Sequence, residues 1–197
     1  MKTDPSIFKV FQHSDEFFEM LSDRDFSRRY VGNQVLFIFL FGVLLLDQLT
    51  KSMIVQKLFL YEKVEVIRGF FNIIHVRNTG GAFGIFGGEK GGLGSVLFVI
   101  ISLLAIGVIV YLFMKTREDE KALAFSFTLI LSGALGNLID RVRYGEVIDF
   151  LDFHLSTYHW PAFNVADSAI CIGIGLLALE LLVKDKKRSI RSQAPHQ

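Results

Sequence analysis

The sequence has one cysteine, Cys171, set in an apolar run, which excludes an intrachain disulfide and a cysteine-ligated metal cluster. A buried, inert thiol is the expectation for it. Charge of one sign is lacking as well. Against 20 Asp+Glu stand 21 Lys+Arg, and a net charge of +1 excludes a global attraction to nucleic acid or to an acidic substrate. No small-residue cleavage site follows the first apolar run, which begins only after a polar extension of about 30 residues, so a secretory signal peptide is not expected. Eight of the 17 glycines fall in residues 80–94, but no GK[ST] follows them and no strand–helix frame surrounds them. They read as a turn-forming loop, not as a phosphate cradle. Ser132 and Ser168 lack a neighbouring base, which leaves nucleophilic catalysis without support.

The largest absence is of charge over long stretches. With 51% hydrophobic residues and a mean hydropathy of +0.43, the chain is too apolar for most soluble domains. Crossing a hydrocarbon core of about 30 Å takes roughly 20 mostly apolar residues. Four windows qualify, at about 30–49, 93–114, 122–140 and 163–183. Arg24, Arg28 and Arg29 precede the first, Lys115, Arg117 and Lys121 separate the second from the third, and Lys184, Lys186, Lys187 and Arg188 follow the fourth. Basic residues beside spans mark the cytoplasmic side, so both termini are expected there. The expected fold is an α-helical integral membrane protein of four spans, with a small β-sheet cradle and a loop on the outer face. Lys63 to Asn78 supplies one or two strands of that sheet, within an outer β and glycine-rich segment at about 56–92.

This topology gives the intramembrane acids a common depth. Asp47 closes an outward-running helix, Asp140 closes another, and Asp167 opens an inward-running one, with Asp149 in the outer segment 141–162. Ionisable residues in spans cost several kcal/mol unless paired and commonly mark function. Asp47 and Lys51, spaced i, i+4, are explained as a structural ion pair with Lys51 snorkelling to the interface. Asp140 and Arg141, at a helix end, have backbone, water or head groups as partners, and Glu180 pairs with Lys184. Asp149 and Asp167 have no basic residue within four positions. Two carboxyls in apolar settings can share one proton, one acting as base on water and the other polarising a carbonyl, which is metal-free amide hydrolysis. Spacing alone leaves this open beside a structural network. His75, His154 and His159 with Asp152 could in principle hold zinc, but their spacing fits no ligand pattern, and Phe153, Tyr158, His159 and Trp160 read better as an interfacial aromatic belt. No metal or other cofactor is expected.

Five blocks carry a family resemblance: Asp47-Gln48-Leu49-Thr50-Lys51; Arg77-Asn78-Thr79-Gly80-Gly81-Ala82-Phe83; Ser132 to Arg141 (SGALGNLIDR); Val147-Ile148-Asp149-Phe150; and Phe163-Asn164-Val165-Ala166-Asp167-Ser168. In this order, over about residues 33–183, they resemble the signal peptidase II (lipoprotein signal peptidase) family of intramembrane aspartyl proteases. The resemblance implies Asp149 and Asp167 as the catalytic pair. Asn137, Asp140, Arg141, Asn164 and Ala166 would line the site, with Asn78, Gly80 and Phe83 in a loop closing over it. Asp47 and Lys51 would be structural polar residues. The implied reaction is cleavage before a diacylglyceryl-modified cysteine of a bacterial prolipoprotein, in the cytoplasmic (inner) membrane near its outer face. Membrane lipid is the implied partner, inhibition by cyclic peptides of the globomycin type is implied too, and a monomer is expected. Gly81 and Gly84 make the loop richer in glycine than the family's usual pattern. The protease domain is expected at 31–184, between a cytoplasmic extension, 1–30, and a tail, 185–197. A proton-coupled transporter would instead distribute acids through the membrane depth, whereas the midplane of each span is free of charge. A scaffold would not depend on two particular aspartates.

Overall fold

The computed structural model describes residues 34–80 and 93–193. Expectations for the extension 1–30, for Phe83 with Gly81 and Gly84, and for the chain's last four residues lie outside the described residues. The chain divides into Met1–Ile38 and Phe39–Gln197. Of the first unit only Gln34–Ile38 are described, as the opening turn of a helix. The remainder of the fold belongs to the second.

The described elements are α1 (Gln34–Lys57), β1 (Lys63–Ile67), β2 (Phe71–Asn78), α2 (Leu93–Lys115), α3 (Lys121–Tyr144), β3 (Val147–Leu155), β4 (Tyr158–His159) and α4 (Val165–Gln193). All four helices are long and apolar enough to span a bilayer. Their surfaces match that solvent. Phe41, Leu45 and Leu49 on α1, Leu103, Leu104 and Val108 on α2, and Leu179 and Leu182 on α4 are all exposed, as expected of side chains that face lipid. Cys171 is also exposed, contrary to the buried thiol expected from its apolar run. In a membrane helix an apolar setting denotes lipid as readily as protein core, and α4 buries only the side it turns to α3.

The protein's own core lies along α3, which buries Phe127, Leu129, Ile130, Ser132, Gly133, Gly136, Asn137 and Asp140. It packs against α2 and α4. Small residues permit the close approach: a Cβ at Gly133 would strike the Ala166 carbonyl of α4, and one at Gly173 would lie 2.7 Å from Ile130. Ser126, Thr128 and Ser132 are buried but bond to their own helix's carbonyls at positions 122, 124 and 128. They therefore need no partner helix. Gly145, at φ +75°, ends α3 by returning its N–H to the Arg141 carbonyl at 3.0 Å.

Three of the expected helices are longer than the charge-free windows. α1 runs to Lys57 rather than to 49, α3 to Tyr144 rather than to 140, and α4, which opens at Val165 rather than at 163, to Gln193 rather than to 183. Asp47 thus lies ten residues before the end of α1, about 15 Å of rise, and not at its last turn. Polar residues continue a helix beyond the hydrocarbon, so a search for charge-free runs truncates it.

The four-stranded sheet has order β1-β2-β3-β4, antiparallel throughout. β1 and β2 fall within Lys63 to Asn78 as expected, whereas β3 and β4 arise within 141–162, where Val147 to Leu155 (VIDFLDFHL) carries the β-branched and aromatic residues of a strand. Rings of Phe71 and Phe163 stack on Phe153 at 4.6 and 5.8 Å, and Phe70 meets it edge-on at 5.5 Å. Backbone bonds between Phe163 and Leu151, at 2.8 and 3.1 Å, fasten the chain entering α4 to the middle of β3. A bulge between Ile73 and Val76 restores the β2–β3 pairing with Val76 opposite Asp149.

Candidate functional site

Asn164 is the N-cap of α4, and its sequence relation to Asp167 three positions on makes a capping box. The Asp167 N–H donates to Asn164 Oδ1 at 2.9 Å, and the Asn164 N–H donates back to Asp167 Oδ2 at 3.1 Å. A third unpaired N–H of this first turn, that of Ala166, is accepted by Asp47 Oδ1 of α1 at 2.9 Å. The helix start is thus held by side chains from two elements, and Asp167 is fixed in its first turn.

Asp149 reaches the same place from β3. The Leu151–Phe163 pairing brings Asn164 beside it, and Asn164 Nδ2 donates to Asp149 Oδ1 at 2.7 Å. Its other carboxylate oxygen accepts Asn78 Nδ2 from the end of β2 at 3.0 Å. Asn78 Oδ1 accepts the Gly80 N–H at 2.8 Å, which ties the opening of the glycine-rich loop to Asp149. Gly80 sits at φ +87°, and a Cβ there would lie 3.0 Å from the Phe98 ring of α2, so both conformation and space call for glycine. Asp149 is 3% exposed, and this burial, reinforced by the neighbouring charge of Asp167, raises its carboxyl to about 6 against the donors Asn78 and Asn164.

Beneath the two carboxyls lies a buried polar cluster. Lys51 donates to Asp47 at 2.9 Å, Asp140 at 2.8 Å and the Asn137 side-chain oxygen at 3.0 Å. Asn137 Nδ2 then donates to Asp167 Oδ1 at 2.7 Å. Gln48 Nε2 lies within 3.2 Å of Asp47, Asp140 and the Gly136 carbonyl, a participant that the sequence did not single out. Asp140 also accepts the Ile148 N–H at the start of β3, 3.2 Å away. The expected Asp47–Lys51 pair is present, but the rest of that expectation is corrected. Lys51 is 1% exposed and points inward, because Asp140, itself 1% exposed, supplies an acceptor inside the protein. Of the backbone, water or head-group partners expected for Asp140, the backbone N–H of Ile148 is present, with Lys51 added to it.

Arg141, on the next residue of α3, is within electrostatic range of Asp149, Asp167 and Asp140, with its guanidinium 5.9 Å from the Phe98 ring centre and near Ser102. The remaining sequence candidates stand elsewhere. His154 and His159 face each other across the β3–β4 hairpin with rings stacked at 4.7 Å, and His159 pairs with Asp152 at 2.7 Å. That partner and Asn72 together hold the Asp152 carboxyl below the usual range, against the opposing effect of burial. His75 instead bonds the Leu58 carbonyl and the Arg77 side chain. Among the described residues no three His, Cys, Asp or Glu are grouped to hold a metal. Tyr158 and Trp160 are exposed, and Lys184 joins Glu120 at 2.5 Å as well as Glu180 at 3.8 Å.

Four helices able to span a bilayer, a four-stranded sheet and two carboxyls joined through one asparagine define a polytopic membrane protein. Residues 39–183 match the family model of signal peptidase (SPase) II. The chain is 49% identical to a lipoprotein signal peptidase of Geobacter sulfurreducens over 75% of its own length and 91% of that protein's. It is 44% identical to one from Syntrophus aciditrophicus, over 79% and 97%. A bacterial membrane enzyme solved by the in meso method at 2.3 Å superposes with a TM-score of 0.69 at 34% identity, covering 83% of this chain and 94% of that one. The chain belongs to the signal peptidase II family of aspartyl peptidases.

Proposed function

We propose that the chain removes signal peptides from prolipoproteins, as its family does, with Asp149 and Asp167 as the catalytic pair. The supporting observation is that Asn164 bonds both carboxyls at once. In the reaction one carboxylate takes a proton from water as the water adds to the scissile carbonyl, and the protonated partner donates to the carbonyl oxygen. Collapse of the tetrahedral intermediate returns a proton to the leaving amine. Asn137 and Asn164 orient the pair, Arg141 supplies positive charge close to the two carboxyls, and Asn78 and Gly80 set the entrance.

The substrate in this reading carries a diacylglyceryl group on the cysteine after the cleaved bond, and the lipid enters from the bilayer. The basic residues flanking the spans support cytoplasmic termini and a site near the outer face of the bacterial inner membrane. Globomycin-type cyclic peptides compete for the same site, and the protein acts as a monomer. Purified protein in detergent, mixed with diacylglyceryl-modified prolipoprotein, should give a gel shift that Asp149→Asn and Asp167→Asn abolish. Cleavage by either folded variant would refute the pair. For topology, cysteines placed at 118 and 156 in a Cys171→Ser background should react with a membrane-impermeant maleimide only at 156. Labelling at 118 in intact cells would reverse the orientation.

A further inference from the structure

Lys51 uses all three of its ammonium hydrogens, on Asp47, Asp140 and Asn137, in a setting 1% exposed. The third of these bonds differs in kind from the others. An ammonium has donors and no acceptor, so the Asn137 atom facing it must be the oxygen. The amide is planar, and its nitrogen is then obliged to face the other way, toward Asp167 Oδ1 at 2.7 Å. Without the ammonium the two orientations of Asn137 differ little in shape. The reversed one would set an oxygen against the Asp167 carboxyl. The Asn164 amide cannot replace Lys51 in this role. It has two hydrogens for three acceptors, Asp149 at 2.7 Å and Ile148 O and Asn137 Oδ1 at 3.2 Å each, and the shortest of these bonds engages Asp149.

We propose that Lys51 is a positioning residue of the active site, which acts by holding the Asn137 amide in the orientation that donates to Asp167. The first-helix motif then serves the reaction as well as the packing of α1 on α3. This rests on the reading of Asp149 and Asp167 as the catalytic pair. The charged groups around Asp167 are Asp149 from β3, Arg141 and Asp140 from α3, and Asp47 and Lys51 from α1. Of these, Lys51 is the one whose bond to Asn137 is described, the residue whose amide donates to Asp167 Oδ1.

The test compares Lys51→Met, the charge-balanced pair Lys51→Met/Asp140→Asn, which does not leave two unmatched buried carboxylates, and Asn137→Asp. The last keeps an oxygen toward Lys51 and places a second oxygen against Asp167, imitating the reversed amide while the ammonium remains. Each is purified in detergent, checked by thermal melting, and assayed for cleavage of diacylglyceryl-modified prolipoprotein across pH, with Asp167→Asn alongside. Expected are a fall in kcat of about 100-fold in all three with KM within about threefold, and an altered pH profile of kcat/KM. In an Asn137→Ala background Lys51→Met should add less than about threefold, since the two act in series. A Lys51→Met/Asp140→Asn protein that melts normally with unchanged kcat and pH profile overturns the proposal. So does an Asn137→Asp protein with these properties, or an additive effect of Lys51→Met in the Asn137→Ala background. Activity in Asp167→Asn would instead overturn the reading of the pair itself.

Discussion

Asn164 Nδ2 donates to Asp149 Oδ1 across 2.7 Å while the same residue caps the helix that begins beneath Asp167. One fully buried side chain therefore sets the relation between a strand residue and a helix residue 18 positions apart in sequence. Asn164→Ala should lower kcat by about 100-fold and cost roughly 2 kcal/mol of stability, from a lost cap and a buried carboxylate short of a donor. Steady-state kinetics and thermal melting of the same preparation check both; a loss confined to stability would remove Asn164 from the catalytic arrangement.

Folding raises the Asp149 carboxyl from 3.8 to about 6. The stability carried by its protonated form is present below pH 4 and is lost as pH rises through about 6, a penalty on the order of 3 kcal/mol at pH 7. Asp149→Asn should accordingly melt above the wild type at pH 7 and level with it at pH 4. Equal melting at both values would show that the carboxyl is not desolvated in the folded protein.

Asp149→Asn and Asp167→Asn should each reduce turnover by several orders of magnitude, and the double variant should be little worse because the pair acts as a unit. Glu180→Gln, whose only described partner is the Lys184 it shares with Glu120, should leave turnover within about twofold. A multiplicative double variant, read by single-turnover cleavage, would argue for two independent roles.

Gly133→Ala should destabilise by roughly 2–4 kcal/mol, because its Cβ would meet the Ala166 carbonyl backbone, which has no rotamer to yield. Gly107→Ala on α2 has nothing within 4 Å and should be neutral or slightly stabilising. Melting temperatures in one detergent separate the two, and equal values would show that α3 and α4 are not in close contact.

Chelation is informative in the opposite sense. Two carboxyls and water suffice for the proposed chemistry, so EDTA should leave cleavage unchanged, and His75→Ala, His154→Ala and His159→Ala should each cost far less than either aspartate. Activity lost to EDTA and restored by zinc would move the chemistry to the histidines.

The spans, the strands β1 and β2 and the pairing of Asp47 with Lys51 were legible because they depend on local signals: absence of charge, β-branched alternation and i, i+4 spacing. The contacts made by Lys51 with Asn137 and Asp140 were not, since they join residues 86 and 89 positions apart. Sequence spacing therefore assigned Lys51 to the interface, the ordinary destination of a lysine whose visible partner lies on its own helix. Strand β3 was legible in principle, but the acids at 149 and 152 obscured its pattern. Both face inward, because Asn72, Asn78 and Asn164 receive them.

The Asp47–Lys51 pair has a further bearing, on biogenesis. Both members lie on one face of α1, so that segment leaves the ribosome with its positive and negative charge already matched and can enter the bilayer as a neutral unit. The hydroxyls of α3, satisfied by its own carbonyls, give that segment the same independence except at Asp140. Asp140 meets the Lys51 ammonium only once that helix has packed against one synthesised earlier. The order in which the chain is made is thus the order in which these buried charges can meet.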